Sequence, residues 1–334
     1  MSGPETVSAR PVLPLPPEGA FLVVDKPRGP SSHQVTAWVR DLLRVDRAGH
    51  AGTLDPGVSG VLVMAVGKAL RLLPLLLTFP KRYVAVVTLH GSVPPATVER
   101  VLKEFQGPIY QTPPVRSAVR RERRVRTVHR LTLVERGGRE LLLEVQADSG
   151  TYIRTLAVDL GEALGCGANM TELRRVSTGP FSEKEAVTLA TLADMVARSD
   201  EGRPEDLQRA LRPPRTVWAR FPQVVVKDSA VDALAHGADL AAQGVLKVTH
   251  PFPAKATVVL VTRKDELVGL GESLVSSEEL SHRRSGWVVD AHQVLMEPGR
   301  YPARSSTRPP SRPGAPSDPP LAPEGSPGAP GSRP

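Results

Sequence analysis

The chain is poor in the residues that build several kinds of site. It has one cysteine, Cys166, in 334 residues. One thiol excludes an internal disulfide and any thiolate-rich zinc centre, and it fits a reducing compartment. The eight histidines fall at no ligand-like spacing, so no metal is expected. No Ser-His-Asp or Cys-His set is evident. Aromatic residues make up 4% of the chain, too few for extended base-stacking platforms. No apolar run approaches the ~20 residues of a membrane span, and the N-terminus lacks the basic-then-apolar build of a signal peptide.

Positive charge, in contrast, is in excess. There are 43 Lys and Arg against 35 Asp and Glu, a formal charge of +8. This favours a polyanionic partner. The excess is concentrated in "RSAVRRERRVRTVHR" (116–130), where seven arginines accompany one glutamate. Such a cluster repels itself unless an anion is present, and arginine suits phosphate. Arg120, Arg121, Arg123 and Arg124 are its candidate nucleic-acid contacts, made mainly with backbone and shape.

Composition and periodicity divide the chain. Residues 1–20 read as an extended arm. The last stretch, 303–334, holds ten prolines and one leucine; it cannot bury enough apolar surface to order itself. Between them, "FLVVDKP" reads as a strand. "GPSSHQVTAWVRDLLRV" reads as a helix capped by Ser31 or Ser32, with Val35, Trp38, Val39, Leu42 and Leu43 on one face. "GVLVMAVG" is a buried strand, and Pro74 weakens the helix that should follow it. "KRYVAVVTLHG" is a strand and "ATVERVLKEF" a short helix. "RTVHRLTLVER" and "RELLLEVQAD" form a hairpin, and "GTYIRTLAVDLGEAL" is a helix. Prolines in "RPPRTVWARFP" (212–222) mark a linker. Beyond it, short strands suggest a small β-barrel with one or two helices. The expected class is α+β, a mixed and largely antiparallel sheet followed by that barrel.

Individual residues are ambiguous. Asp55 sits in "GHAGTLDPGVSGVL", where Leu-Asp-Pro-Gly leads into a strand. That is neither a Rossmann nor a P-loop pattern. It is either a plain turn or a carboxylate held at the mouth of a cleft, with His50 and Thr53 nearby. Tyr83 could be a half-buried sheet tyrosine. Arg154, on the polar face of its helix, is either solvated or paired with a carboxylate such as Asp55.

Taken together, the motifs resemble the TruB family of RNA pseudouridine synthases, in its archaeal and eukaryotic, dyskerin-like branch. "DKPRGPSSHQV", "GHAGTLDPGVSGVL", "KRYVA", "SGTYIRTLAVDLG" and "ELRRVSTGPF" resemble five family motifs in order, from about Phe21 to Phe181. "VVVKDSAVDALAHGADLAAQGVLKV" resembles a PUA domain. Ser31 stands where threonine is usual, and Arg82 replaces a common acidic residue. The resemblance implies a pseudouridine synthase catalytic domain over 21–215 and a PUA RNA-binding domain over 221–302. It implies Asp55 as nucleophile, Arg154 as its partner, Tyr83 stacked on the flipped base, Leu173 packed against that base and His50 at the RNA opening. No cofactor is implied. The implied partners are a guide RNA with ribosomal RNA or tRNA as target, a small zinc-ribbon-like subunit, a small β-barrel subunit and a kink-turn-binding protein. The setting would be cytoplasmic in an archaeon or nucleolar in a eukaryote. The alternatives are a guide-independent synthase of the tRNA T-loop and a non-catalytic RNA-binding scaffold.

Overall fold

The computed structural model describes residues 13, 15–113 and 122–302. Arg120 and Arg121, the proline-rich stretch 303–334 and residues 1–12 and 14 of the arm lie outside the described residues. The chain divides between Phe221 and Pro222 into two compact units. No helix among the described residues is long and apolar enough to cross a membrane.

The first unit runs β1 (Ala20–Lys26), α1 (Ser32–Leu42), β2 (Ala48–Ala51), β3 (Ser59–Val66), α2 (Leu73–Thr78), β4 (Lys81–Leu89), α3 (Pro95–Glu104), β5 (Gly107–Gln111), β6 (Arg124–Gly137), β7 (Glu140–Ala147), α4 (Ile153–Ala163), β8 (Ala168–Thr178), β9 (Phe181–Ser182), α5 (Leu189–Asp200), α6 (Glu205–Ala210) and α7 (Arg215–Trp218). Its sheet has the order β1-β3-β8-β4-β7-β6-β5, with β2 paired to β3 and β9 to β8. Every named pairing is antiparallel except the short contact of β3 with β8. The pattern of burial explains the layers. β3 is buried at nearly every position because it is covered on both faces, whereas β7 alternates buried and half-buried residues. One core gathers Leu22, Val35, Val39, Leu62 and Leu192, under α1 and α5. The other gathers Val98, Leu131, Leu143, Leu156 and Leu160, under α3 and α4.

Several sequence expectations change. Ser31 is the cap of α1, in a capping box with Gln34, and Ser32 is buried and used elsewhere. Trp38, expected on the apolar face, is 45% exposed, because it lies at the edge of the stripe that Val35 and Val39 bury. The helix interrupted by Pro74 is a 3-10 turn over Gly67–Leu72 followed by α2, with the proline in the first turn of α2 where its missing N–H costs nothing. The segment read as a linker is folded: Arg212 exchanges backbone hydrogen bonds with Phe21 at 2.8 and 2.7 Å, and Val217 and Trp218 of α7 are buried. β8 has no counterpart in the sequence reading, although it lies at the middle of the sheet.

The second unit comprises β10 (Gln223–Val226), α8 (Asp228–Ala235), β11 (Leu240–Ala241), β12 (Val245–Val248), β13 (Thr257–Val261), β14 (Leu267–Ser273), α9 (Ser277–His282) and β15 (Trp287–Val294). The sheet order is β11-β15-β14-β13-β10-β12. Four register shifts, in β13–β14, β14–β15, β10–β12 and β11–β15, bend the sheet towards a barrel. Val224, Leu234, Leu260, Val268 and Val288 lie in its core.

Candidate active site

Asp55 stands in the loop between β2 and β3, and the loop is fastened from beneath. Ser32 Oγ donates to the Leu54 carbonyl at 2.8 Å and accepts from the Leu54 N–H at 2.8 Å. Lys26 Nζ donates to the carbonyls of Pro27 and Val58 at 2.8 and 2.9 Å, and to that of Pro56 at 3.4 Å. Gly29 N–H donates to the Pro56 carbonyl at 2.8 Å, and Val58 N–H to that of Asp55 at 3.0 Å. Lys26 is fully buried. Burial pushes its pKa down, and the Asp55 carboxylate opposes that shift. None of these bonds uses the Asp55 side chain.

That side chain instead accepts a hydrogen bond from Arg154 Nη2. Both groups are more than half exposed, and an exposed ion pair contributes only ~0–1 kcal/mol to stability. The pair therefore adds little to the stability of the fold. Arg154 lies in the first turn of α4, whose start is held by Gln111. Its Oε1 accepts from Tyr152 N–H at 2.9 Å, and its Nε2 donates to the Tyr152 carbonyl at 3.1 Å. Lys81, also buried, reaches Ser149 Oγ and the Phe79 carbonyl, both at 2.8 Å. Burial and the neighbouring Arg175 bring its pKa down to about 8.

Tyr83 lies in β4 opposite Arg175 of β8. Arg175 is 1% exposed. Its Nε donates to the Val61 carbonyl and its Nη2 to that of Gly52, each at 2.7 Å; burial pushes its pKa down, and the neighbouring Tyr83 opposes that shift. Leu173, opposite Ala85 in the same strand pair, packs half-buried against the second core. Next to it, Arg174 forks onto Asp25 at 2.9 and 3.0 Å and reaches Glu183 at 3.1 Å.

His50 belongs to β2. The Thr36 hydroxyl donates to the Ser32 carbonyl at 2.8 Å and sits 2.8 Å from His50 Nδ1. Its proton is thus committed, so it accepts Nδ1–H and leaves Nε2 to accept from Thr53, at 3.3 Å. His33 meets the ring edge-on at 5.0 Å. Burial first, then His33 and Arg175, lower the His50 pKa from 6.5 to about 4. The ring is therefore neutral at pH 7. Between these values the unfolded chain binds a proton that the folded chain does not. Stability accordingly falls as pH drops from about 6.5 towards 4 and is level above that range. Melting temperatures across this window should show the slope, and His50→Asn should flatten it.

The structure thus joins Asp55 directly to Arg154, and sets Tyr83 across the strand pair from Arg175, which holds the Asp55 loop at Gly52. His50 flanks the loop through Thr53. Arg123 and Arg124 sit apart from the carboxylate, at the start of β6. The Arg123 guanidinium lies 4.4 Å over the ring of Tyr110, itself 64% exposed. Arg124 and Arg126 line a groove with Gln111, Ser149 and Tyr152. Among the described residues, no three His, Cys, Asp or Glu side chains gather as a metal site would. Lys26, Ser32, Lys81 and Arg175 lie within the quoted motifs without standing out individually, and Gln111 lies outside them. Arg82, the departure within the tyrosine motif, lies 3.5 Å from Glu144 of β7.

Known families align with these units. The N-terminal domain of the TruB family of pseudouridylate synthases matches 40–96, the tRNA pseudouridylate synthase B C-terminal domain matches 154–217 and the PUA domain matches 222–295. A probable tRNA pseudouridine synthase B of Pyrobaculum calidifontis is 49% identical over 284 residues, 85% of each chain. The protein of the same description in Methanocaldococcus jannaschii is 44% identical over 282 residues, 84% of each. Among solved structures, a chain of a Cbf5-Nop10-Gar1 complex superposes with a TM-score of 0.81 at 41% identity, covering 89% of this chain and 94% of that one. A chain of the archaeal box H/ACA sRNP Nop10-Cbf5 complex gives 0.78 at 38%, covering 89% and 96%. The chain belongs to the TruB family of pseudouridine synthases, RNA isomerases, and carries a PUA domain.

Proposed function

We propose that this synthase works within a box H/ACA-type ribonucleoprotein, on a uridine chosen by a guide RNA. The observation that carries this reading is the likeness to chains of such complexes over 89% of this chain, second unit included. A further similar structure is that of an H/ACA RNP bound to a substrate RNA, at a TM-score of 0.77 and 40% identity. Small subunits of the zinc-ribbon and β-barrel kinds would join the catalytic unit, and the PUA domain would grip the guide. A second reading, modification of tRNA without a guide, is favoured by the description shared by the curated relatives. The deciding experiment maps pseudouridine in unguided tRNA, and in a target RNA supplied with guide and small subunits. Modification of the target only with its guide supports the first reading. Equal turnover of unguided tRNA supports the second.

In this reading the uridine leaves its stack and enters a pocket beside Asp55. The bond from the sugar to N1 breaks, the base turns, a bond forms from the sugar to a ring carbon, and the proton that this carbon loses is matched by one taken up at N1. The atoms balance without any redox partner, so one nucleophilic carboxylate suffices. Asp55 would be that nucleophile, aimed by Arg154. Tyr83 would stack on the base, Leu173 would pack against it, and His50 would border the RNA path. Arg123 and Arg124, with Arg120 and Arg121, would meet phosphate. Replacing Arg123 and Arg124 by glutamine should weaken RNA binding and flatten its salt dependence, by about 0.7–0.9 in log–log slope for each phosphate no longer neutralised. An unaltered slope would assign these side chains to solvent or protein.

A further inference from the structure

The reaction gives Lys81 no part, yet this residue is buried between the segments that carry the site. It opens β4, beside Ala147 of β7 and Thr178 of β8, and is 3% exposed. Its Nζ donates to the Phe79 carbonyl and to Ser149 Oγ, both at 2.8 Å, and lies 3.3 and 3.4 Å from the carbonyls of Leu76 and Leu77. The last two belong to the final turn of α2, where carbonyls have no partner inside the helix. Among the described residues, none of the acceptors of Lys81 is a carboxylate. An ammonium buried without an anion is costly, and burial with the nearby Arg175 has drawn its pKa down to about 8. Charges perturbed in this way gather at functional sites.

The bond to Ser149 gives this tie its direction. Ser149 and Gly150 are the central residues of a turn that Thr151 N–H closes on the Asp148 carbonyl at 3.2 Å. Gly150 has a φ of +79°, the positive value that a type II turn needs at its third residue. The chain leaves that turn into α4, where Arg154 stands in the first turn and reaches Asp55. Lys81 also backs the loop that carries Asp55: a methyl on Gly52 would lie 3.6 Å from Lys81 Cε. One side chain thus adjoins both the loop of the carboxylate and the turn that launches its guanidinium partner. We propose that Lys81 is a positioning residue for the isomerisation: its ammonium ties the Ser149 turn to the end of α2 while its stem backs Gly52, and this sets the spacing across which Arg154 meets Asp55. The proposal rests on the reading of Asp55 as the nucleophile.

A double-mutant cycle tests it. Single-turnover rate at saturating RNA, RNA affinity and melting temperature are measured for wild type, Lys81→Met, Ser149→Ala and the double variant, at a temperature where each is folded. Methionine keeps most of the stem that backs Gly52 and removes the donors; alanine removes only the acceptor. Lys81→Met should slow the chemical step by about 100-fold, the scale of a small misplacement of a reacting group, with RNA affinity within about twofold. Ser149→Ala should slow it by about tenfold in the wild type, and by no more than about twofold once Lys81 is replaced. A wild-type rate in either folded single variant, or an equal cost of Ser149→Ala in both backgrounds, would overturn the proposal, because a lysine that only supports the fold moves the melting temperature and not the rate. So would a slowed Ser149→Ala whose RNA affinity falls in proportion, which assigns Ser149 to the RNA itself. If Lys81→Met fails to fold, Ser149→Ala decides alone by the same readings. Asp55→Asn is measured alongside. Activity kept there means that the reading of Asp55 fails; activity lost there but kept in the Lys81 and Ser149 variants means that this proposal fails by itself.

Discussion

Asp55→Asn should abolish pseudouridine formation while leaving the protein folded. Asparagine keeps the size and shape of the side chain and suits a Pro-Gly turn nearly as well. It removes the charge and the nucleophilic oxygen pair. The loop's backbone is held by hydrogen bonds of Lys26, Ser32 and Gly29, none of which uses the Asp55 side chain. The ion pair with Arg154 that this change removes is exposed on both sides. Its absence should therefore lower the melting temperature by no more than about 2–4 °C, the equivalent of ~1 kcal/mol in a unit of this size. RNA affinity should hold or rise slightly, because a negative charge facing a polyanion is gone. A residue that only makes a turn would give the opposite pattern, with activity kept and stability reduced. Turnover that persists in a preparation freed of wild-type enzyme would place the nucleophile elsewhere.

Gly60→Ala should cost the catalytic unit a large part of its stability. Gly60 pairs with Lys26 of β1 on one side and Arg175 of β8 on the other. Its φ is +103°, and a methyl there would lie 2.2 Å from the Arg175 carbonyl oxygen. Backbone strain of this kind costs ~1–3 kcal/mol, and the clash with a backbone atom in the middle of the sheet adds to it. A total of ~3 kcal/mol or more corresponds to a melting temperature lowered by about 6–12 °C. Gly57 supplies the control, because a methyl there meets nothing within 4 Å and its φ is not positive. Gly57→Ala should melt with the wild type. Should Gly60→Ala melt there too, the close approach of β3 and β8 is not obligatory.

What could be read in advance follows from where periodicity speaks. β1, β3, β4, the β6–β7 hairpin and α4 carry apolar patterns of strand or helix period, and they fold accordingly. β8 does not carry one. "ANMTELRRVST" alternates poorly and holds two adjacent arginines, and it becomes a strand because β3 and β4 pair with it on either side. Trp38 misled for the related reason that an apolar residue on the rim of a stripe need not be covered. At the site, Asp55, Tyr83 and Arg154 stood out through five motifs in register, while each alone had an ordinary alternative. Lys26 and Arg175 lay within those motifs with no role of their own to read, and Gln111 lay outside them. Each acts by donating to distant backbone carbonyls, and which carbonyls come within reach is decided only by the tertiary fold.

The fastening of the Asp55 loop has a consequence for the RNA. A loop tied at Leu54, Pro56 and Val58 before any ligand arrives does not close around its substrate. The shape of the receptacle is set in advance, and the nucleic acid has to do the adapting. Extruding a nucleotide costs least where it is already unpaired. If Asp55 meets the uridine, a receptacle so fastened should select by presentation, taking a uridine held open by the architecture of its own RNA in preference to the same uridine inside a duplex.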